Sequence, residues 1–216
     1  MAQKLLDLGC GNGNNIYGFY QNPDYSVTGI DIEMENVDIC QKKFPDSQFF
    51  QVDGVTLPFE DGAFDIIQSL DVLEHVDDIE AVLGEAYRVL KKGGKFIVEV
   101  PYWKSEEMLL KIKPSYWDDI HHVRMFRDGE MEAIMEKFGG KLLLKKGRKH
   151  FDNISLAWYF RHGDILNQKG DMSLPHPLLR RWFQFSRLPY YLVYRIFQTR
   201  FDAWFPKSVY FEFIKR

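Results

Sequence analysis

Cysteine is scarce in this chain. The 216 residues contain two, Cys10 and Cys40. Their spacing matches no metal-binding pattern, and two are too few for a disulfide scaffold, so the sequence predicts a reducing compartment, the cytoplasm. No metal site is evident. No run approaches 18 consecutive apolar residues, and no spanning helix is expected. The first residues carry no basic-plus-apolar pattern, so no signal peptide is expected either. Two phosphate-binding devices are missing as well. There is no Gly-Lys-Ser/Thr to end a P-loop. The G-x-G-x-x-G dinucleotide fingerprint fails in both frames, because its third glycine position holds Asn14 or Ile16.

What the chain does have is Leu-Leu-Asp-Leu-Gly-Cys-Gly-Asn-Gly-Asn-Asn at residues 5–15. The apolar run Leu5 to Leu8, broken once by Asp7, reads as a buried strand. Gly9, Gly11 and Gly13 alternate in a tight turn, and Ile16 to Tyr20 resume an apolar pattern at helical spacing. Strand, glycine turn and helix form a nucleotide-binding device, since glycines admit positive φ and let the backbone approach a ligand. The length suits one domain with an insertion and is enough for a sizeable core.

Charge is unevenly divided. Residues 1–80 carry 16 Asp/Glu and 3 Lys/Arg, whereas residues 81–216 carry 15 and 25. The two ends of the chain therefore have different surroundings or different partners.

A second apolar stretch, Ser26–Ile30, ends at Asp31, 22 residues after Gly9. An acid there is placed to accept from the vicinal hydroxyls of a ribose. Glu33 is a second candidate, although it suits the first turn of the next helix, where an acid favours the dipole. Helix over 35–44 and strand over 48–52 follow, and the strand ends at Asp53-Gly54, again 22 residues on. Equal spacing of three strand ends predicts repeated βα units feeding a parallel sheet. A fourth strand is expected at 63–69, then a helix from about Asp78 to Leu90. Lys91-Lys-Gly-Gly94 should cap that helix before strand five at 95–100.

The pattern acid-x-Gly-x-Gly-x-Gly, with Asp7 as the acid, resembles motif I of the class I S-adenosylmethionine (SAM)-dependent methyltransferases. SAM offers no phosphate but a zwitterionic methionine end beside a sulfonium, which a carboxylate suits. Leu57-Pro-Phe, Ala63-Phe-Asp-Ile-Ile, Val72-Leu-Glu-His-Val76 and Arg88-Val-Leu-Lys-Lys-Gly-Gly-Lys-Phe-Ile-Val98 stand in the order and spacing of the type 11 branch. The resemblance runs from Leu5 to about Pro101. It implies an α/β, Rossmann-like three-layer sandwich. The seven-stranded sheet would be mostly parallel, with an antiparallel last strand and a helical insert before it. It implies SAM as cofactor, held by Asp7, Gly9, Gly11, Gly13, Asp31, Ile32, Asp53, Gly54, Leu70, Asp71 and His75. Asp53 and Gly54 would meet the adenine amino group, and His75 would pack near the methionine end. Family members usually have a helical segment before strand one; only four residues precede Leu5, so either the reading frame is short or another segment supplies the lid.

Beyond Pro101, a loop and short helix are expected over 102–116. Trp117-Asp-Asp-Ile-His-His-Val-Arg-Met-Phe126 is similar to a stretch that lies beside the substrate pocket in type 11 members. Asp128 should cap a helix over 129–138, with strands six and seven at 141–145 and 208–214. The 150–206 insert between them, within one domain spanning 1–216, reads as a helical cap. Its segment 176–206 interleaves five arginines with ten aromatic residues. That composition suits either a cap over the core or a face resting on a membrane. No nucleic acid is expected. The resemblance implies methyl transfer to oxygen or nitrogen of a small-molecule, glycan or lipid-linked acceptor. A base would help a hydroxyl acceptor, and His121 or His122 is the candidate catalytic residue. The alternative is a non-catalytic SAM-binding partner in a biosynthetic complex.

Overall fold

A computed structural model describes residues 2–148 and 206–216, so the insert expected over 150–206 lies outside them apart from Pro206. The chain forms two compact units. One comprises residues 1–100, 126–145 and 210–216; the other comprises Pro101–Met125 and Lys146–Val209.

The strands are β1 (Gln3–Leu8), β2 (Tyr25–Asp31), β3 (Gln48–Gln51), β4 (Phe64–Leu70), β5 (Leu90–Pro101), β6 (Gly140–Arg148) and β7 (Ser208–Lys215). They make one sheet in the order β3-β2-β1-β4-β5-β7-β6. β1 through β5 pair in parallel, and β7 is antiparallel, which gives the Rossmann-like α/β fold expected from the sequence. The chain winds outward from β1 to β3, then returns to place β4 on the other side of β1. That reversal opens a crevice at the carboxyl ends of β1 and β4, where open α/β sheets bind ligands.

Burial explains the strand sequences. Leu5 and Leu6 of β1, Ile67 of β4 and Phe96 and Val98 of β5 have no solvent exposure. Parallel strands covered on both faces need such nearly continuous apolar runs. The crossover helices α1 (Tyr17–Tyr20), α2 (Met34–Lys43) and α3 (Ile79–Val89) join successive strands. In α3, Ile79, Val82, Leu83, Ala86 and Tyr87 are buried, a one-sided stripe at helical spacing. Asp78 caps α3, its side chain accepting from the Ala81 N–H at 3.0 Å. Asp78→Ala should cost about 1 kcal/mol, read as a lower urea midpoint with an unchanged slope.

Arg88 of α3 pins the preceding loop. Its guanidinium donates to the carbonyls of Leu57 and Phe59 and to the carboxylates of Glu85 and Asp61. Hydrogen bonding to Arg88 holds the Glu85 carboxyl down at about 2. The Leu-Pro-Phe motif and the arginine 31 positions later are therefore two halves of one hydrogen-bonded assembly.

Two local expectations change. Lys91–Gly94 does not cap α3; β5 begins at Leu90 and contains these residues as a bulge. Phe64 pairs with Leu90 and Ile66 with Lys95, so three extra residues loop out of β5. Gly93 has φ +76°, and a Cβ on Gly94 would lie 2.8 Å from the Lys91 carbonyl oxygen, so the bulge needs both glycines. Asp128 does not cap α6 (Glu130–Lys137). Gly129 at φ +89° is the N-cap, without a side-chain bond. Glu130 instead reaches back to accept from the Arg127 N–H at 2.8 Å.

The second unit holds α4 (Trp103–Ile112) and α5 (Tyr116–Ile120), so the stretch expected as loop and short helix forms a ten-residue helix. Among the described residues, Leu109 and Tyr116 form a buried cluster, packed by Met108, Leu110, Trp117 and Ile120. The Tyr102 N–H donates to the Lys207 carbonyl, and the Ser105 hydroxyl to that of Pro206 at 2.6 Å.

Candidate functional site

The glycine turn follows the carboxyl end of β1. Gly9, Gly11 and Gly13 have φ of +76°, +50° and +75°, a region costly for side chains with a Cβ. Their surroundings differ. A Cβ on Gly9 would meet Val72 at 2.4 Å, and one on Gly13 would meet Phe44 at 2.4 Å and the Cys40 Sγ at 3.0 Å. These two glycines let the turn pack on the core. A Cβ on Gly11 would meet nothing within 4 Å. Gly11 therefore faces open space, as a backbone that approaches a ligand must.

The turn is tied to β2. The Gly9 and Cys10 N–H groups both donate to the Ile30 carbonyl at 2.9 Å. Asp31, 8% exposed, accepts from the Gly11 N–H at 2.8 Å, the Glu33 N–H at 3.0 Å and the Asn36 side-chain amide at 3.0 Å. Three donors on one carboxylate set its direction before any ligand arrives. The Val52 N–H donates to the Asp31 carbonyl, which brings the end of β3 alongside.

Asp7 lies beneath the turn, 1% exposed. One carboxyl oxygen accepts from the Gln68 amide at 3.0 Å. The other, Oδ2, is buried and has no hydrogen-bond partner among the described residues. Burial raises this carboxyl to about 7, with a smaller contribution from the negative charge of Asp31, while Gln68 opposes the rise. The folded state therefore holds a proton that the unfolded state has released, so Asp7 makes stability fall as pH rises from about 4 to about 7. The expected result is that Asp7→Asn gains on the wild type across that interval. Urea midpoints of the ligand-free protein at several pH values measure it; a constant difference between the two proteins would contradict it.

The remaining cofactor candidates sit at neighbouring strand ends. Asp53 is exposed and accepts from the Val55 N–H at 2.9 Å, beside Gly54 at φ +81°. Ile32 is 65% exposed just past β2. Leu70 ends β4, half-buried. Asp71 adopts φ +56°, unusual for a residue other than glycine, and its N–H donates to the Glu99 carbonyl at 2.9 Å. His75 is exposed on a short 3-10 turn, Leu73–His75. The structure thus gathers the ends of β1, β2, β3 and β4 on one edge of the sheet.

Cys10 and Cys40 flank the turn. Their sulfurs are 4.0 Å apart, and the Cys40 thiol donates to the Gly11 carbonyl. Burial, above all, pushes both thiols up; Cys40 pushes Cys10 further, whereas the hydrogen bond with Cys10 opposes the rise at Cys40, and the negative charges of Asp7 and Asp31 add to both.

The histidines expected as catalytic residues belong to the other unit. His121 is exposed at the carboxyl end of α5, with φ +56°, a common helix-ending conformation. His122 is half-buried, and its Nδ1 lies 2.8 Å from Oε2 of Glu106. Glu106 of α4 is 4% exposed and also accepts from Trp117 Nε1 at 2.9 Å and the Tyr116 hydroxyl at 3.4 Å. Glu106, Gln68 and Asn36 were missed from the sequence. Asn36 follows Asp31 closely enough to have been suspected. Gln68 meets Asp7 only through the β1–β4 register, in which the two residues pair. Glu106 precedes His122 by sixteen residues across a helix break, a spacing with no periodic signature.

The donor set fits SAM. An unpartnered buried carboxyl oxygen suits a ligand that carries an ammonium and a sulfonium. A directed carboxylate at the end of β2 suits ribose hydroxyls, and the open face of Gly11 admits a ligand.

Residues 6–98 match a family model described as Methyltransferase domain. A phosphoethanolamine N-methyltransferase from Triticum aestivum is 31% identical over 188 residues, covering 73% of this chain and 37% of the relative. The 27-O-demethylrifamycin SV methyltransferase of Amycolatopsis mediterranei is 37% identical over 100 residues, covering 44% and 37%. The chain spans about a third of the length of these relatives. Among solved structures, geranyl diphosphate C-methyltransferase from Streptomyces coelicolor, in complex with Mg2+, geranyl diphosphate and S-adenosyl-L-homocysteine, shares the fold. Its TM-score is 0.67 at 15% identity, over 99% of this chain and 74% of that one. The glycine turn, the strand-end carboxylates and the matched domain occupy the same residues, and SAM is the cofactor of this domain. Residues 6–98 are a methyltransferase domain of the class I SAM-dependent kind, in the type 11 branch.

Proposed function

We propose that the chain transfers the methyl group of SAM to oxygen or nitrogen of a small-molecule acceptor. The observation that carries this is the open face of Gly11 beside the directed Asp31 carboxylate, at the switch point of the sheet. Asp31 receives the ribose hydroxyls, and Asp53 with Gly54 receives the adenine amino group. Gly9, Gly11, Gly13 and Asp7 hold the methionine end, and Ile32, Leu70, Asp71 and His75 line the site. Bound SAM supplies an electrophilic methyl on a good leaving group. The protein's task is then alignment, which can contribute roughly 7–11 kcal/mol of the barrier. His121 or His122 takes a proton from the acceptor when one must leave. The polar network at His122 favours it over exposed His121.

The relatives' names support small acceptors of varied chemistry, from phosphoethanolamine to a rifamycin. The arginine- and aromatic-rich sequence of 176–206 supports a lipid-linked acceptor or a membrane contact. Among the described residues, no helix is long and apolar enough to cross a membrane. A cysteine count of two, too few for a disulfide scaffold, supports a reducing compartment such as the cytoplasm. The test is release of S-adenosyl-L-homocysteine from SAM with a panel of amine, phenol, sterol and phosphoethanolamine acceptors. Tight SAM binding without turnover on any acceptor would favour the non-catalytic partner.

A further inference from the structure

We propose that Asn36 is a cofactor-binding residue that shares the ribose of SAM with Asp31. One of the two vicinal hydroxyls donates to Oδ2 of Asp31 and the other to the amide oxygen of Asn36. This rests on the SAM-binding reading and narrows it to single atoms.

A carboxylate only accepts, at about four lone-pair sites, two on each oxygen. On Asp31, Oδ1 takes the Glu33 N–H at 3.0 Å and the Asn36 side-chain amide at 3.0 Å. Oδ2 takes the Gly11 N–H at 2.8 Å. Three of the sites are therefore filled from within the protein, and the one left is on Oδ2. A ribose brings two hydroxyls, both satisfied by water in the free ligand. A hydroxyl moved out of water without an acceptor costs more than it returns. The second hydroxyl must then find another acceptor or displace a donor already on Oδ1. The Glu33 N–H is not easily displaced, since it closes a tight turn back to Asp31 at the N-cap of α2.

Asn36 supplies the second acceptor. It lies in the first turn of α2, half-buried. Because a carboxylate cannot donate, the amide turns its nitrogen toward Oδ1 of Asp31. That hydrogen bond holds the whole planar group, its oxygen included. Among the described residues the oxygen has no hydrogen-bond partner. Acceptors from two side chains thus stand side by side at the end of β2, one on each residue, which suits a vicinal diol. Glu33 is the competing acceptor. Its N–H is held by Asp31, but its side chain is exposed, and no hydrogen bond or ion pair among the described residues orients its carboxylate. An amide already held in place loses less freedom on binding than an unheld side chain.

The test is calorimetric titration of the full-length protein with S-adenosyl-L-homocysteine and with its 2′-deoxy and 3′-deoxy forms, which needs no methyl acceptor. The wild type should bind the parent ligand and lose affinity for both deoxy forms. Asn36→Ala should bind the parent about 3- to 10-fold more weakly, the range for one hydrogen bond between neutral groups. For one deoxy form, the one lacking the hydroxyl that Asn36 receives, that loss should nearly vanish, while for the other it should persist. Asn36→Leu, of similar shape, is the second variant if Ala unfolds. Glu33→Ala is the control and should treat all three ligands alike.

An equal loss for all three ligands in Asn36→Ala would make Asn36 only a support for the Asp31 carboxylate. A gain in affinity would mean that a hydroxyl displaces its amide from Oδ1. A hydroxyl-dependent loss in Glu33→Ala and not in Asn36→Ala would give the second hydroxyl to Glu33. Each of these overturns the assignment and leaves the cofactor site standing. Failure of the wild type to bind the parent ligand would overturn the cofactor site itself, and the role of Asn36 with it.

Discussion

Gly11→Val is expected to abolish SAM binding while the sheet still forms. In the structure Gly11 has φ +50° and open space where a Cβ would project. The Cβ of a valine there meets nothing within 4 Å among the described residues, so the main cost to the fold is the backbone strain of a β-branched residue in the left-handed region. The side chain instead takes the space the ligand needs. The neighbouring glycines make the control. Gly9→Ala drives a methyl into Val72, and Gly13→Ala drives one into Phe44, which is fully buried against Tyr20 and Phe49. Those two variants should lose stability first and binding as a consequence. Calorimetric titration with SAM, beside circular dichroism melts, separates the cases. A folded Gly11→Val protein that binds SAM normally would show that the turn does not cradle the cofactor.

Asp31→Ala is expected to weaken SAM binding by roughly 1.5–3 kcal/mol, the range for hydrogen bonds to a charged group, or about 10- to 150-fold in affinity. Two effects act together. The ribose hydroxyls lose their acceptor. The N–H groups of Gly11 and Glu33 and the Asn36 amide also lose theirs, so the glycine turn is no longer tied to β2 through a side chain. The N–H bonds of Gly9 and Cys10 to the Ile30 carbonyl remain and should preserve the fold. Asp31→Asn keeps one acceptor oxygen and should fall between wild type and alanine. Unchanged affinity in a folded Asp31→Ala protein would remove Asp31 from the cofactor site.

The positions of these two residues, at the glycine turn and at the end of β2, were legible because their signal is local. Alternating glycines after an apolar run leave few backbone solutions, and parallel strands of similar length put successive strand-end acids on one edge. The 22-residue interval from Gly9 to Asp31 and from there to Asp53 carries that regularity openly. The α3 stripe and its Asp78 cap were legible for the same reason. Where two local signals competed, the sequence reading chose wrongly. Lysines followed by two glycines suit a helix end, but the same residues suit a strand bulge, and pairing with β4 decided for the bulge. Asp128 suits an N-cap, yet Gly129 took that position at a positive φ that favours glycine.

By itself, the sequence determined the order of strands and crossovers, the cofactor class and the carboxylates at the strand ends. The strands, crossovers and strand-end acids follow from the period of apolar residues or from backbone freedom within a few positions, and the cofactor class follows from the resemblance to the type 11 branch. Tertiary structure alone decided which polar groups face one another. Gln68 reaches Asp7 because β4 lies beside β1 in a particular register, and Asp7 keeps one oxygen unpartnered because that neighbour satisfies only the other. Glu106 finds His122 and Trp117 because α4 and α5 fold onto each other. A buried carboxylate satisfied by distant donors leaves no periodic trace in the chain, since what stabilises it is the geometry of packed elements and not the spacing of residues.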